Sequence, residues 1–168
     1  MRLILPSTPY QLNNLSTIFI GGNANYTICR SLHKLYRSHN IEVVNSLPTP
    51  SLRNILPIWN KQAKEKELIR KREWESNYIK KAEATGCILL AYSEPPKDYQ
   101  AAQLGMLFIS GYGKNSAKRM VVWHKKTLSP ELKEFLVEEN KNIHITTDLN
   151  EAYKATLSLV YKNVPLCA

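Results

Sequence analysis

Cysteine is scarce in this chain: Cys29, Cys87 and Cys167 lie far apart and form no CxxC pair, which argues against a disulfide framework, a cysteine zinc site or a redox motif. The four histidines, His33, His39, His124 and His144, are scattered without HxH or HExxH spacing, so neither a metal nor another cofactor is expected. No apolar run approaches the ~20 residues that span a bilayer, and Met1–Ser16 lacks the charged start and continuous apolar core of a secretory signal. The expectation is a soluble, intracellular protein with no membrane partner. Acidic residues are also few, 14 against 23 lysines and arginines, and the first of them is Glu42. That acid-poor start has the composition of an organellar presequence, but Gly21, Gly22 and the helix after them read as integral to the fold, so at most Met1–Ser16 belongs to one. The formal net charge of +9 raises the local concentration of phosphate-bearing partners. No helix-turn-helix, aromatic RNP motif or zinc-finger spacing accompanies that charge. Contact with a nucleic-acid backbone, or membership of a larger assembly, therefore stays open.

What is present is an alternation of apolar strands and amphipathic helices in 168 residues, enough for one domain with a substantial core. Met1–Ser16, with Pro6, Pro9 and Asn13-Asn14, reads as an extended arm able to dock on the domain or a neighbour, and residues 17–168 as the single domain. Strands are expected at Thr17–Ile20, Ile41–Val44, Cys87–Tyr92, Lys118–Trp123 and Asn142–Thr146. Helices are expected at Tyr26–His39, at Lys61–Ala84 with a stripe of Leu68, Ile69, Trp74, Tyr78, Ile79 and Ala82, at Ser129–Glu139 and at Leu149–Tyr161. Asn45–Pro57 carries three prolines and reads as irregular. The alternation implies an α/β protein, a flavodoxin- or Rossmann-like three-layer sandwich. Its five-stranded parallel sheet is expected in the order 2-1-3-4-5.

In such a sheet, small polar ligands sit where the loops after the first and third strands face each other. The first of these loops holds Gly21, Gly22 and Asn23, and the paired glycines permit a positive φ and close backbone approach without making GxGxxG. A plain tight turn accounts for them equally well. The second runs from Ser93 to Gln103 and, with Tyr92, brings Glu94, Asp98, Tyr99, Gln100 and Gln103 to the crevice. Glu94 and Asp98 are its only carboxylates. They are candidates for acid–base or nucleophilic work if glycosidic chemistry occurs; as loop residues, Asp98 would instead cap the helix starting at Tyr99 and Glu94 would pair with Lys97.

The stretch YSEPPKDYQAAQLGM, preceded by REWESNYIKKAEATGCILL, resembles the core of the nucleoside 2-deoxyribosyltransferase-like superfamily, in particular its small bacterial and phage-type members. The similarity runs from about Thr17 to Tyr153. It implies a nucleoside or nucleotide ligand, N-glycosidic bond transfer or hydrolysis, a homo-oligomer, and a tryptophan segment walling the base pocket, here Trp59, which as an aromatic after a long loop would equally well anchor that loop to the core. In that superfamily a glutamate two residues before the glycine matched by Gly105 attacks the anomeric carbon. This chain has Gln103 at that position. An amide lacks the charge that forms a glycosyl ester. Three readings follow: a pocket that binds without cleaving, a Glu→Gln change engineered to trap a complex, or a site lost altogether. The companion reading of function is a catalytically silent relative that acts as an interaction or nucleic-acid-backbone-binding subunit through its basic surface.

Overall fold

The computed structural model describes residues 1–6, 8–46, 61–94, 119–127, 130 and 143–162. The expected proline-rich loop beyond Ser46 with Trp59, the segment from Pro95 through Gln103 and Gly105, and the body of the Ser129–Glu139 helix lie outside them.

Six strands form one parallel sheet: β1 (Arg2–Ile4), β2 (Thr17–Gly22), β3 (Glu42–Asn45), β4 (Cys87–Tyr92), β5 (Met120–His124) and β6 (His144–Thr146), in the order β1-β3-β2-β4-β5-β6. Among the described residues the helices are α1 (Tyr26–Tyr36), α2 (Lys61–Thr85) and α3 (Leu149–Tyr161), and Pro130 is helical as well. The α/β class and the parallel sheet are as expected, but the sheet has six strands rather than five, so the expected five-strand order 2-1-3-4-5 does not describe it as a whole. Arg2–Ile4, expected within an extended arm, pairs in parallel with β3 and becomes an edge strand.

Both faces of the sheet are covered, which is why its strands are apolar at nearly every position rather than at alternate ones. Ile18, Ile20, Val43, Leu89, Ala91, Val121 and Trp123 pack with α1 and α3 residues including Cys29, Leu32, Tyr36, Ala152 and Val160. Phe19, Val44, Ile88, Leu90, Tyr92, Met120 and Val122 point the other way, onto Trp74, Tyr78, Ile79 and Ala82 of α2. The side chain of Asn25 caps α1 by accepting from Ile28 N, and Asp148 caps α3 by accepting from Asn150 N and Glu151 N.

Helix α2 departs from its expected stripe at Ile69, which is 57% exposed. Its last turn is fixed at the amino edge of the sheet, where Thr17 N donates to Thr85 Oγ1. Twenty-five residues of helix run about 37 Å, while a six-residue strand spans only about 20 Å. The first half of α2 therefore outruns the sheet it would pack on. Thr8, Tyr10 and Asn13 are correspondingly tied to the second half: Trp74 Nε1 donates to Thr8 O (2.8 Å), Tyr10 meets Tyr78 edge-on, and Lys81 Nζ donates to Asn13 Oδ1. Asn13 sits between Lys81 and Glu42. Among the described residues no helix is long and apolar enough to cross a membrane.

Candidate functional site

β2 leads through α1 to β3 on one side, whereas β4 lies on the other side of β2 and leads away to β5 and β6. The order in which strands are added to the sheet thus reverses between the parallel neighbours β2 and β4, and in open parallel sheets ligands bind outside the carboxyl ends of the strands at such a point. The residues there form a built rim.

Gly22 ends β2 with φ +104°, and a Cβ on it would lie 2.4 Å from Ala91 O. That clearance lets the turn fold onto β4, so that Asn23 N and Ala24 N both donate to Ala91 O (3.0 and 2.9 Å). The Asn23 side chain then works as a double-sided clip. Its Oδ1 accepts from Ser93 N (3.0 Å) and Glu94 N (3.4 Å), and its Nδ2 donates to Glu94 O (2.9 Å). Asn25 N donates to Ser93 Oγ (2.9 Å) while its own side chain caps α1. On the β3 side, Ser46 donates through N and Oγ to Ile20 O. On the β5 side, Lys125 N donates to Tyr92 O (2.9 Å), and Lys126 Nζ pairs with Glu94 Oε2 at 2.5 Å. His124 Nδ1–H donates to Lys126 O (2.8 Å), closing the turn after β5.

Of the residues singled out in the sequence, Gly22, Asn23 and Glu94 come together on this exposed rim. Gly21 sits one residue inside the strand, buried, where an added Cβ would meet the Leu90 side chain at 3.3 Å. Tyr92 is buried in the α2-side core, and burial pushes its phenol up to about 12. Glu94 pairs with Lys126, and the Lys97 proposed as its partner lies outside the described residues. Trp59, Asp98, Tyr99, Gln100 and Gln103 lie outside them too.

Sequence reasoning missed Ser93 and Asn25 as the second stitch between the loops, and Lys126 as the ion-pair partner. Asn25 before an amphipathic helix is a legible cap signal. Lys126 carries no local signal, because its place depends on β5 lying beside β4. Cys87 and Cys29 are buried, and burial pushes both thiols up, so neither is a poised nucleophile. Among the described residues no three His, Cys, Asp or Glu side chains gather to hold a metal ion.

Fold and rim together define a Rossmann-like parallel α/β protein with a polar rim outside the carboxyl ends of β2 and β4, where the strand order reverses. No protein-family model matches the chain, and no curated protein matches it.

Proposed function

We propose that this chain binds a nucleoside or nucleotide in the crevice between the Gly22–Asn25 and Ser93–Glu94 turns, as a member of the nucleoside 2-deoxyribosyltransferase-like superfamily whose N-glycosidic chemistry is impaired by Gln103. The observation that carries the reading is the reversal of strand order between β2 and β4, with the two turns held together there by Asn23 and Ser93. A nucleoside is oriented by a small number of precisely placed polar groups, and the two turns hold such groups in fixed positions. The homo-oligomer implied by the resemblance belongs to the same proposal.

The chemistry divides by residue. A carboxylate at position 103 would stabilise the oxocarbenium-like transition state and form the sugar ester; the amide of Gln103 does neither, but keeps an acceptor oxygen and adds donors for a ribose hydroxyl. Glu94 is a poor replacement, since its carboxylate extends toward Lys126 on the β5 side and in-line attack needs exact placement. Binding should therefore outlast turnover.

The test is base release from a panel of nucleosides and nucleoside monophosphates by the chain as written and by Gln103→Glu. The expected result is negligible turnover by the former and a gain of at least ~10²-fold in the latter, corresponding to about 3 kcal/mol of recovered transition-state stabilisation. Equal, robust turnover by both would move the nucleophile to Glu94 or Asp98. Absence of ligand binding by both would leave the interaction-subunit reading.

A further inference from the structure

The positive charge of this chain is not spread evenly over the two covers of the sheet. On the α2 side cations are interleaved with acids: Arg70 lies 3.9 Å from Glu67, and Lys71 lies 3.5 Å from Glu75. Helix α1 carries no acid at all. Its exposed charged side chains are Arg30, Lys34 and, at the C-cap, Arg37, spaced i, i+4, i+7 on the side away from the buried Cys29, Leu32 and Tyr36. None of the three has an acidic partner among the described residues. The first acid in the chain, Glu42, is buried against Lys81. Helix α3 lies beside α1, where Tyr36 Oη and Thr156 Oγ1 share a hydrogen bond of 2.5 Å, and adds the exposed Lys154 and Lys162 to the same layer. Its own acid, Glu151, contacts His144 and Thr146.

Like charges four residues apart on a helix repel. The helix dipole offsets that repulsion for Lys34 and Arg37 in the last turn, but not for Arg30 in mid-helix. Stability therefore does not account for the stripe, and its geometry suits a polyanion. From Arg30 to Arg37 the helix rises about 10 Å, the axial length of about three successive phosphates on one strand of a duplex. Arginine, lysine and the exposed Thr27, one turn before Arg30, are side chains that hold phosphate oxygens. A membrane-surface helix would also present an apolar face, but that of α1 is buried in the core. A single strand would need aromatic rings on which its bases stack, and the exposed side of α1 from Arg30 to Arg37 offers none.

We infer that the Arg30, Lys34 and Arg37 stripe, flanked by Lys154 and Lys162, docks the sugar-phosphate backbone of a nucleic-acid duplex without reading its sequence. The stripe runs from mid-helix toward the C-cap, away from the Asn25 end of α1 and the rim beside it. It stands whether or not a nucleoside binds at that rim.

Fluorescence anisotropy tests it, with labelled DNA and RNA duplexes of about 20 base pairs in two unrelated sequences, between about 0.05 and 0.2 M salt. The full chain is expected to bind both sequences equally and to weaken steeply as salt rises. Combining Arg30→Gln, Lys34→Gln and Arg37→Gln should lower affinity about tenfold or more and flatten the log–log salt slope by about 2–3, as the loss of three phosphate contacts requires. A charge-matched control on α2, combining Lys66→Gln, Arg70→Gln and Arg72→Gln, should leave that slope nearly unchanged. All six side chains are exposed, so thermal melts should find both variants folded at the assay temperature and separate lost docking from lost folding. Equal losses in the two variants would make binding a general effect of net charge and overturn the inference, as would no duplex binding at the lowest salt. Tighter binding to phosphatidylserine vesicles, or to polyglutamate, than to the duplex would also overturn it, in favour of a membrane surface or an acidic protein.

Discussion

Lys81→Met is expected to destabilise the protein by about 3–5 kcal/mol, the cost of leaving a buried charge without its partner. Lys81 is 8% exposed and Glu42 is fully buried, and their ion pair measures 2.7 Å. Glu42 also accepts from Asn13 Nδ2 (2.6 Å) and Thr17 Oγ1 (3.2 Å), and Lys81 donates to Asn13 Oδ1 (2.9 Å). Removing the lysine leaves the carboxylate dehydrated, with two neutral donors. Removing both charges, as Glu42→Gln with Lys81→Met, should cost clearly less than the single change, because no buried charge is then stranded. Urea unfolding of the two single variants and the double variant measures this coupling. A loss below about 1 kcal/mol for Lys81→Met would show that water reaches the pair. Since Asn13 bridges these two residues, the same variant should also speed amide exchange in residues 8–15, which are otherwise tied down through Thr8 and Tyr10.

Gly22→Ala should cost about 2–4 kcal/mol, combining a backbone conformation that side-chain-bearing residues resist with a collision against a neighbouring strand. At φ +104° the alanine Cβ would stand 2.4 Å from Ala91 O, a backbone atom that cannot swing aside without breaking β4. Gly21→Ala provides the control. Its Cβ would meet the end of the Leu90 side chain at 3.3 Å, a contact that a rotamer adjustment relieves. Thermal melts of both variants decide the matter. A stable Gly22→Ala protein that had lost nucleoside binding would mean that the glycine serves ligand approach, and that strand packing is not what demands it.

The parts of the fold legible in the sequence were those whose burial follows a local period. The helical face of α1 with Leu32 and Tyr36, the lower half of α2 with Trp74, Tyr78, Ile79 and Ala82, and the bounds of β4 and α3 all follow from spacing within the element itself. What escaped depends on distant partners. Arg2–Ile4 is too short to announce a strand, and only pairing with β3, some forty residues on, makes it one. Ile69 has the spacing of a core residue but lies where α2 has passed the end of the sheet. Lys81 reads as one more charge on a solvated helix, and it is buried only because Glu42 opens β3 directly beneath it. The candidate site follows the same division. The Gly22–Asn23 turn and Glu94 were visible as loop residues after apolar strands, whereas Lys126 enters through the adjacency of β4 and β5.

The central claim is that this protein takes a nucleoside-type ligand outside the carboxyl ends of β2 and β4, where the strand order reverses. Backbone amide chemical shifts, followed during titration with a panel of nucleosides and nucleoside monophosphates, test it most directly. The largest perturbations are expected at Asn23, Ala24, Asn25, Ser93 and Glu94, while Asn13, Thr17, Glu42 and Lys81 at the opposite edge stay unmoved. Perturbations concentrated at that opposite edge, or none anywhere at millimolar ligand, would contradict it.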